Sequence, residues 1–358
     1  MKEYKVLYLI LNGSPYGGSE KHVVDIVNNI DNKGIDAKLI YSEGNSLIEG
    51  INKISITTPM GRGFIDFFKI LIIIKNEKPD IIHAHAARAL IFARMLKFLL
   101  TKFTDQKIKL VSTSHGLWVP PDKKKLQLHR LLHLFKGQDD LTLAVSKYSR
   151  CELIEQGYNK DKVKYIYNGI DFSNFNSSRN IKRKVENVTF VGRLTEQKGV
   201  SHLMDLIDRE SLNRDEIKFE IYGSGHLDTY INDYIKAKNL TNVNVKGHTD
   251  NIKDVFLKTD LLIAPSMDEG LPYTLVEAIN CGLPVVSTVV GGIPEIVENG
   301  KNGFLVKPGD RDGFYRAFSK IKKENIESMS RESIRISQKF ALNTMIDSIV
   351  YEYEECLK

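Results

Sequence analysis

Apolar residues along this chain alternate between two rhythms. Short, mostly apolar runs at 6–11, 141–146, 188–191 and 261–264 have the length and content of buried strands. Between such runs, Val23, Val24, Ile26, Val27 and Ile30 share one helical face. Leu90, Ile91, Met95, Leu96, Phe98 and Leu99 do the same over 88–103. Further strands are predicted at 37–41, 54–57, 79–85, 109–116, 163–167, 218–221 and 243–248. Helices are predicted after 86, at 200–207 and 274–280, and over 325–358. A strand, a glycine turn and a helix open a doubly wound parallel sheet. The chain makes that start twice, at 6 and again at 188, with a polar stretch over 172–184 between them. The pattern predicts two similar α/β domains facing each other across a cleft.

The stretch at 264–284, A-P-S-M-D-E-G-L-P-Y-T-L-V-E-A-I-N-C-G-L-P, gathers the densest chemistry. Pro265 and Ser266 end a strand, Gly270 permits a tight turn, Pro272 suits a first helical turn, and Gly282 suits the helix end. A helix start leaves N–H groups unpaired and carries the positive end of the dipole, so it attracts anions. Glu269 and Glu277 border that start. Like charges repel phosphate, whereas carboxylates accept well from sugar hydroxyls. A phosphorylated ligand that also carries polyols, such as a nucleotide sugar, satisfies both features. A plainer reading stands beside it, with Glu269 solvated in a loop and Glu277 a helix charge favoured by the dipole.

Arg193 and Lys198 flank the glycine turn that opens the second half. A guanidinium fork and an ammonium point charge suit a diphosphate, though solvated loop charges would look the same. Gly17-Gly18 in the first half would let backbone approach a ligand, or simply make a flexible turn. His115 ends a strand, where doubly wound folds place ligands. His83 and His85 alternate on one strand face. They read as structural histidines or as a zinc pair lacking a third ligand of suitable spacing. His248 follows a strand where it could border a base. Asp310-Arg311-Asp312 spells a metal-associated D-x-D string, but its place before a helix reads better as capping.

Composition narrows the classes. Apolar residues at 42% and charged residues at 27% of 358 positions are ordinary for a globular protein. Three scattered cysteines show no metal or redox spacing and fit a reduced, cytoplasmic setting. A signal peptide is not expected, and no apolar run reaches membrane-spanning length. The net charge of +6 is mild and argues for an anionic small ligand or surface rather than nucleic acid. The basic stretch over 88–136 includes an amphipathic segment in which Leu126, Leu128, Leu131, Leu132 and Leu134 follow Lys123-Lys124-Lys125. Such a segment can lie on an anionic membrane, as a peripheral contact on its inner face, or be an ordinary surface helix.

In order, Gly17-Gly18, N-G-I-D at 168–171, V-G-R-L-T-E-Q-K-G at 191–199, E-G-L-P-Y-T-L-V-E-A at 269–278 and V-G-G-I-P-E-I-V at 290–297 resemble the retaining glycosyltransferases of family 4. The resemblance implies the GT-B fold, with an acceptor domain at 1–171, a donor domain at 172–340 and a C-terminal helix at 341–358 that packs back on the first. It implies that Arg193 and Lys198 bind the donor diphosphate, Glu277 the ribose and Glu269 the transferred sugar. Gly270, Leu271 and Pro272 would offer backbone contacts, Gly17 and Gly18 would approach the diphosphate, and His115 would be an active-site histidine. It further implies a UDP- or GDP-hexose donor, a glycan or lipid-linked acceptor, front-face transfer with retention, and no cofactor or catalytic metal. A catalytically silent nucleotide-sugar-binding protein on the same fold is the alternative.

Overall fold

The computed structural model of the chain describes residues 4–11, 17–42, 55–58, 63–104, 107–116, 135–175, 184–212 and 217–358. Two units emerge, one from Met1–Gly169 together with Leu342–Lys358, the other from Ile170–Ala341. The chain therefore crosses between them at 169/170 and again at 341/342, not within the polar stretch at 172–184. Phe172–Phe175 there forms a 3-10 turn, and residues 176–183 lie outside the described residues.

In the first unit, strands β1 (Tyr4–Ile10), β2 (Ile35–Ser42), β3 (Ser55–Thr58), β4 (Ile81–His85), β5 (Lys109–Ser114), β6 (Leu141–Ala144) and β7 (Val163–Tyr165) form one parallel sheet. Their order is β3-β2-β1-β4-β5-β6-β7. The helices are α1 (Gly18–Ile30), α2 (Gly63–Glu77), α3 (Ala87–Phe103) and α4 (Lys147–Glu155). Strand β1 shows why this sequence makes a sheet covered on both faces. Val6, Tyr8 and Ile10 join Val23, Ile26 and Ile30 of α1 in one core. Leu7, Leu9 and Leu11 join Ile70, Ile74 and Leu96 of α2 and α3 in another. Each such side chain contributes about 1.5–3 kcal/mol on burial. A slip of one residue would exchange the two sets, so the register is strongly fixed.

The second unit repeats the plan with β8 (Asn187–Val191), β9 (Lys218–Tyr222), β10 (Val243–Gly247), β11 (Leu261–Ala264), β12 (Val285–Thr288) and β13 (Gly303–Val306). These are all parallel, in the order β10-β9-β8-β11-β12-β13. Helices α5 (Val200–Ser211), α6 (Asp228–Ala237), α7 (Ile252–Lys258), α8 (Tyr273–Asn280), α9 (Ile293–Ile296), α10 (Arg311–Ile321) and α11 (Ile326–Ser337) surround it. Helix α5 runs past the expected 207 because Glu210 is buried and ion-paired to Lys322, which carries the element one more turn. The D-x-D string is a cap, as its position implied: Asp310 accepts from Gly313 N at 2.8 Å, and Asp312 receives Arg209 Nη1 at 2.6 Å.

Helix α12 (Leu342–Leu357) returns to the first unit. Met345, Ile346 and Ile349 join the core that contains α1. The Tyr353 hydroxyl sits 2.9 Å from that of Tyr8 and 2.5 Å from His83 Nδ1.

The cations of α3 depart from the basic face read from the sequence. Arg94 is fully buried and grips Asp139 with two bonds, Nε to Oδ1 at 2.8 Å and Nη2 to Oδ2 at 2.5 Å. Arg88 pairs with Asp66 at 2.8 Å, and Lys97 pairs with Asp140. Lys102 alone keeps to the apolar surface, with its ammonium over the Phe98 and Phe103 rings. The leucine-rich segment after Lys123–Lys125 lies outside the described residues. No helix among those described is long and apolar enough to cross a membrane.

Candidate active site

In each sheet the strand order reverses once, between β1 and β4 in the first and between β8 and β11 in the second. At such a switch point, neighbouring loops leave the carboxyl ends of the strands in opposite directions and open a crevice for ligands. Most of the chemistry read from the sequence lies at these two points.

At the second switch point, the turn after β8 carries Arg193 and Lys198, and the turn after β11 carries Glu269. Lys198 Nζ reaches Glu269 Oε1 at 2.5 Å, and Ser266 Oγ donates to the same oxygen at 2.9 Å. The pair is mostly shielded, with side-chain exposures of 19% and 10%. Gln197 braces both turns. Its carbonyl accepts from Met267 N at 2.8 Å, its Nε2 meets Asp268 O at 3.4 Å, and its Oε1 takes Arg193 Nη2 at 3.1 Å. Burial, and then the charge of Glu269, push the Asp268 carboxyl above its ordinary range.

Two glycines make this fit. Gly199 has φ +71°, and a Cβ there would lie 1.9 Å from Pro265 O. Gly291 has φ +53°, and its Cβ would lie 1.6 Å from Glu269 O. Gly292 N then donates to Gly270 O at 2.7 Å, which closes the turn. Leu271 is buried, Pro272 is the N-cap of α8, and that helix starts one residue earlier than expected, at Tyr273. Glu277 is nearly buried on its second turn. His248 stands apart, on an exposed turn after the edge strand β10, with Nε2 at 3.1 Å from Asp250 Oδ1.

At the first switch point, Gly17 is the N-cap of α1 and Gly18 its first residue. A Cβ on Gly17 would fall 1.9 Å from Glu20 Oε2. His115, just past β5, is partly exposed. Its Nε2 lies 3.3 Å from His85 Nδ1 at the end of β4, and its ring meets that of His22 edge-on, at 4.9 Å between centroids. Behind them His83 has both nitrogens engaged, Nδ1 by Tyr353 and Nε2 by Thr113 Oγ1 at 2.7 Å. Burial drives all four imidazoles toward the neutral form. His22 is lowered to about 4 by burial, with its interaction with Asn168 acting the other way. His83, His85 and His115 fall well below the usual imidazole value, each pushed further by its neighbours. Ala86 follows with φ +65° and ψ 157°, a region almost reserved for glycine. The strain sits directly beside His85.

The sequence reading had no role for Gln197, Ser266, Gly291 or His22. Gly291 was visible as part of the V-G-G-I-P-E string. For Gln197 and His22 no local signal exists, because each meets partners distant in the chain, whereas Ser266 acts on Glu269 only three positions on.

Residues 16–174 match the model of Glycosyltransferase Family 4, and residues 171–339 that of Glycosyl transferases group 1. The chain is 30% identical over 264 residues to an uncharacterized glycosyltransferase of Methanocaldococcus jannaschii, covering 68% of this chain and 66% of that protein. It is 25% identical to an Escherichia coli UDP-Gal:alpha-D-GlcNAc-diphosphoundecaprenol alpha-1,3-galactosyltransferase, over 86% of this chain and 85% of that one. Its fold is similar to that of Anabaena HepE, crystallised with UDP-glucose, at a TM-score of 0.83 and 22% identity over 98% of this chain and 100% of that one. Two doubly wound parallel sheets, the two matched models that together run from 16 to 339, and these relatives lead to one statement: this chain belongs to the family 4 glycosyltransferases of the GT-B fold.

Proposed function

We propose that this glycosyltransferase moves a hexose-type sugar from a UDP- or GDP-sugar to a hydroxyl of a glycan or lipid-linked glycan, with retention of configuration and without a catalytic metal. The Lys198–Glu269 pair, set four residues before α8, carries this reading. An ammonium has three donors, so Lys198 keeps two for phosphate oxygens while Glu269 holds it in place. Both bonds to Glu269 end on Oε1. Oε2 then serves as acceptor for hydroxyls of the transferred sugar. Arg193 and the positive end of α8 add to the field that a departing diphosphate meets. The bond from the anomeric carbon to phosphate breaks as the acceptor oxygen bonds on the same face. The acceptor proton passes to the leaving diphosphate, so no protein nucleophile is needed. Two side-chain cations and a helix dipole supply the neutralisation that a metal supplies elsewhere. Glu277 would hold the ribose, Gly270, Leu271 and Pro272 the sugar and phosphate through backbone, His248 the base, and Gly17, Gly18 and His115 the donor from the first unit.

The name of the Escherichia coli relative supports a uridine donor and a lipid-linked acceptor of the kind used in surface polysaccharide synthesis. Peripheral contact with an anionic membrane through 88–136 fits the exposed Phe98 and Phe103 around Lys102. Sedimentation with anionic vesicles at low salt tests that part, and failure to co-sediment removes it. The transfer reading is tested by incubating the full chain with a panel of UDP- and GDP-sugars and following release of the diphosphate. Tight binding with no turnover of any donor, with or without glycan acceptors, would leave only a silent sugar-nucleotide binder.

A further inference from the structure

The histidines at the first switch point do more than flank a ligand crevice. His22 comes from α1, His85 from the end of β4, and His115 from the turn after β5. One ring nitrogen from each lies within 4.8 Å of the other two. We propose that His22, His85 and His115 form a three-histidine site for one divalent transition-metal ion of the zinc class.

A tetrahedral zinc with Zn–N bonds of about 2.0–2.1 Å places neighbouring nitrogens about 3.3–3.4 Å apart. His85 Nδ1 and His115 Nε2 already stand at 3.3 Å. That separation is long for a hydrogen bond between two rings and right for the edge of a coordination tetrahedron. His22 supplies the third corner. His83, although its ring centroid is 4.1 Å from that of His85, is excluded because both its nitrogens are engaged.

The surroundings fit a ligand set. His85 is fully buried, with Nδ1 turned to His115 and the opposite nitrogen, Nε2, without a hydrogen-bond partner among the described residues. The backbone at Ala86, next to His85, is held in a strained conformation. His115 retains partial exposure, so an ion has a way in and its fourth position stays open to water or an anion. On binding, the proton shared between His85 and His115 moves to the far nitrogen of its ring, and both imidazoles remain neutral.

The consequence for activity rests on the proposed function. An ion here occupies a nitrogen of His115 and withdraws that ring from the donor, so zinc inhibits a transferase that itself needs no metal.

The experiment uses the untagged full chain after EDTA treatment. Equilibrium dialysis against zinc measures stoichiometry, and Co²⁺ titration reads coordination through its visible absorption. One ion per chain is expected, with the intense visible band of tetrahedral Co²⁺. His22→Gln and, separately, His115→Gln should each weaken affinity at least about tenfold. Thermal unfolding checks that each variant is folded, and the partly exposed His115 gives the safer substitution. Failure to bind a stoichiometric ion, or affinity in both folded variants equal to that of the unaltered chain, overturns the proposal. Donor turnover in EDTA is read separately, so a chain that transfers sugar but binds no ion refutes the metal site alone.

Discussion

Lys198 and Glu269, 71 positions apart in the chain, meet at 2.5 Å where the turns after β8 and β11 converge. The pair holds the lysine ammonium against the turn that precedes α8. Removing the lysine leaves a mostly shielded carboxylate without its counter-charge and the leaving group without a donor. Lys198→Ala should lower donor turnover about 10²–10³-fold, the scale of one lost transition-state donor. Release of diphosphate under single-turnover conditions checks this, and an unchanged rate would take Lys198 out of the mechanism.

Gly291 sets the height of the Glu269 backbone. Its φ of +53° and the 1.6 Å approach of an added Cβ to Glu269 O leave alanine no place without moving the turn. Gly291→Ala should destabilise the second unit by about 3 kcal/mol, combining left-handed strain with overpacking. It should weaken donor binding as well. Urea unfolding and calorimetric titration read the two effects. Gly300, also at positive φ but with nothing within 4 Å of its Cβ, should suffer only the strain.

Four neutral histidines tie the first unit to pH. His22 titrates at about 4 when folded against an ordinary 6.5, and His83, His85 and His115 are also depressed. Between those two values the unfolded chain binds more protons than the folded one. Stability is therefore fully present above pH 6.5 and falls as pH drops toward 4. Each such histidine adds a slope of up to about 1.4 kcal/mol per pH unit. Denaturant unfolding in EDTA across this window measures the slope, and His22→Gln should flatten it by about one proton.

Tyr353 ties α12 to the sheet of the first unit. Its hydroxyl bridges Tyr8 and His83 in full burial. Tyr353→Phe should cost about 1–3 kcal/mol, because both partners are left unserved. Adding Tyr8→Phe should then cost less than it does alone, since its hydroxyl has already lost its partner. A double-mutant cycle in urea unfolding gives the coupling.

Much of this was legible in the chain, and the reasons differ by element. Strands such as β1 and β11 are buried on both faces, so their runs of Val, Leu and Ile announce them. The turn at 264–272 could be read because Gly270 and Pro272 have few other reasons to stand together before a helix. Arg94 was hidden within the basic stretch read over 88–136: nothing near it in the chain signals burial, because its partner Asp139 lies 45 positions later. The histidines were hidden in the same way. His85 and His115 lie 30 positions apart, and His22 belongs to another element, so only the parallel order β1-β4-β5 brings them together. The structure also assigns α12 to the first unit, through contacts with residues at the opposite end of the sequence.

The claim on which the account rests is that Lys198, bonded to Glu269 in the turn before α8, holds the diphosphate of a nucleotide. Calorimetric titration of the intact chain and of Lys198→Ala with UDP, GDP and the parent nucleosides tests it directly. The account predicts that the nucleotide bound by the unaltered chain loses at least about tenfold in affinity in the variant, while binding of the matching nucleoside is unchanged. Equal diphosphate affinity in the two proteins would contradict it.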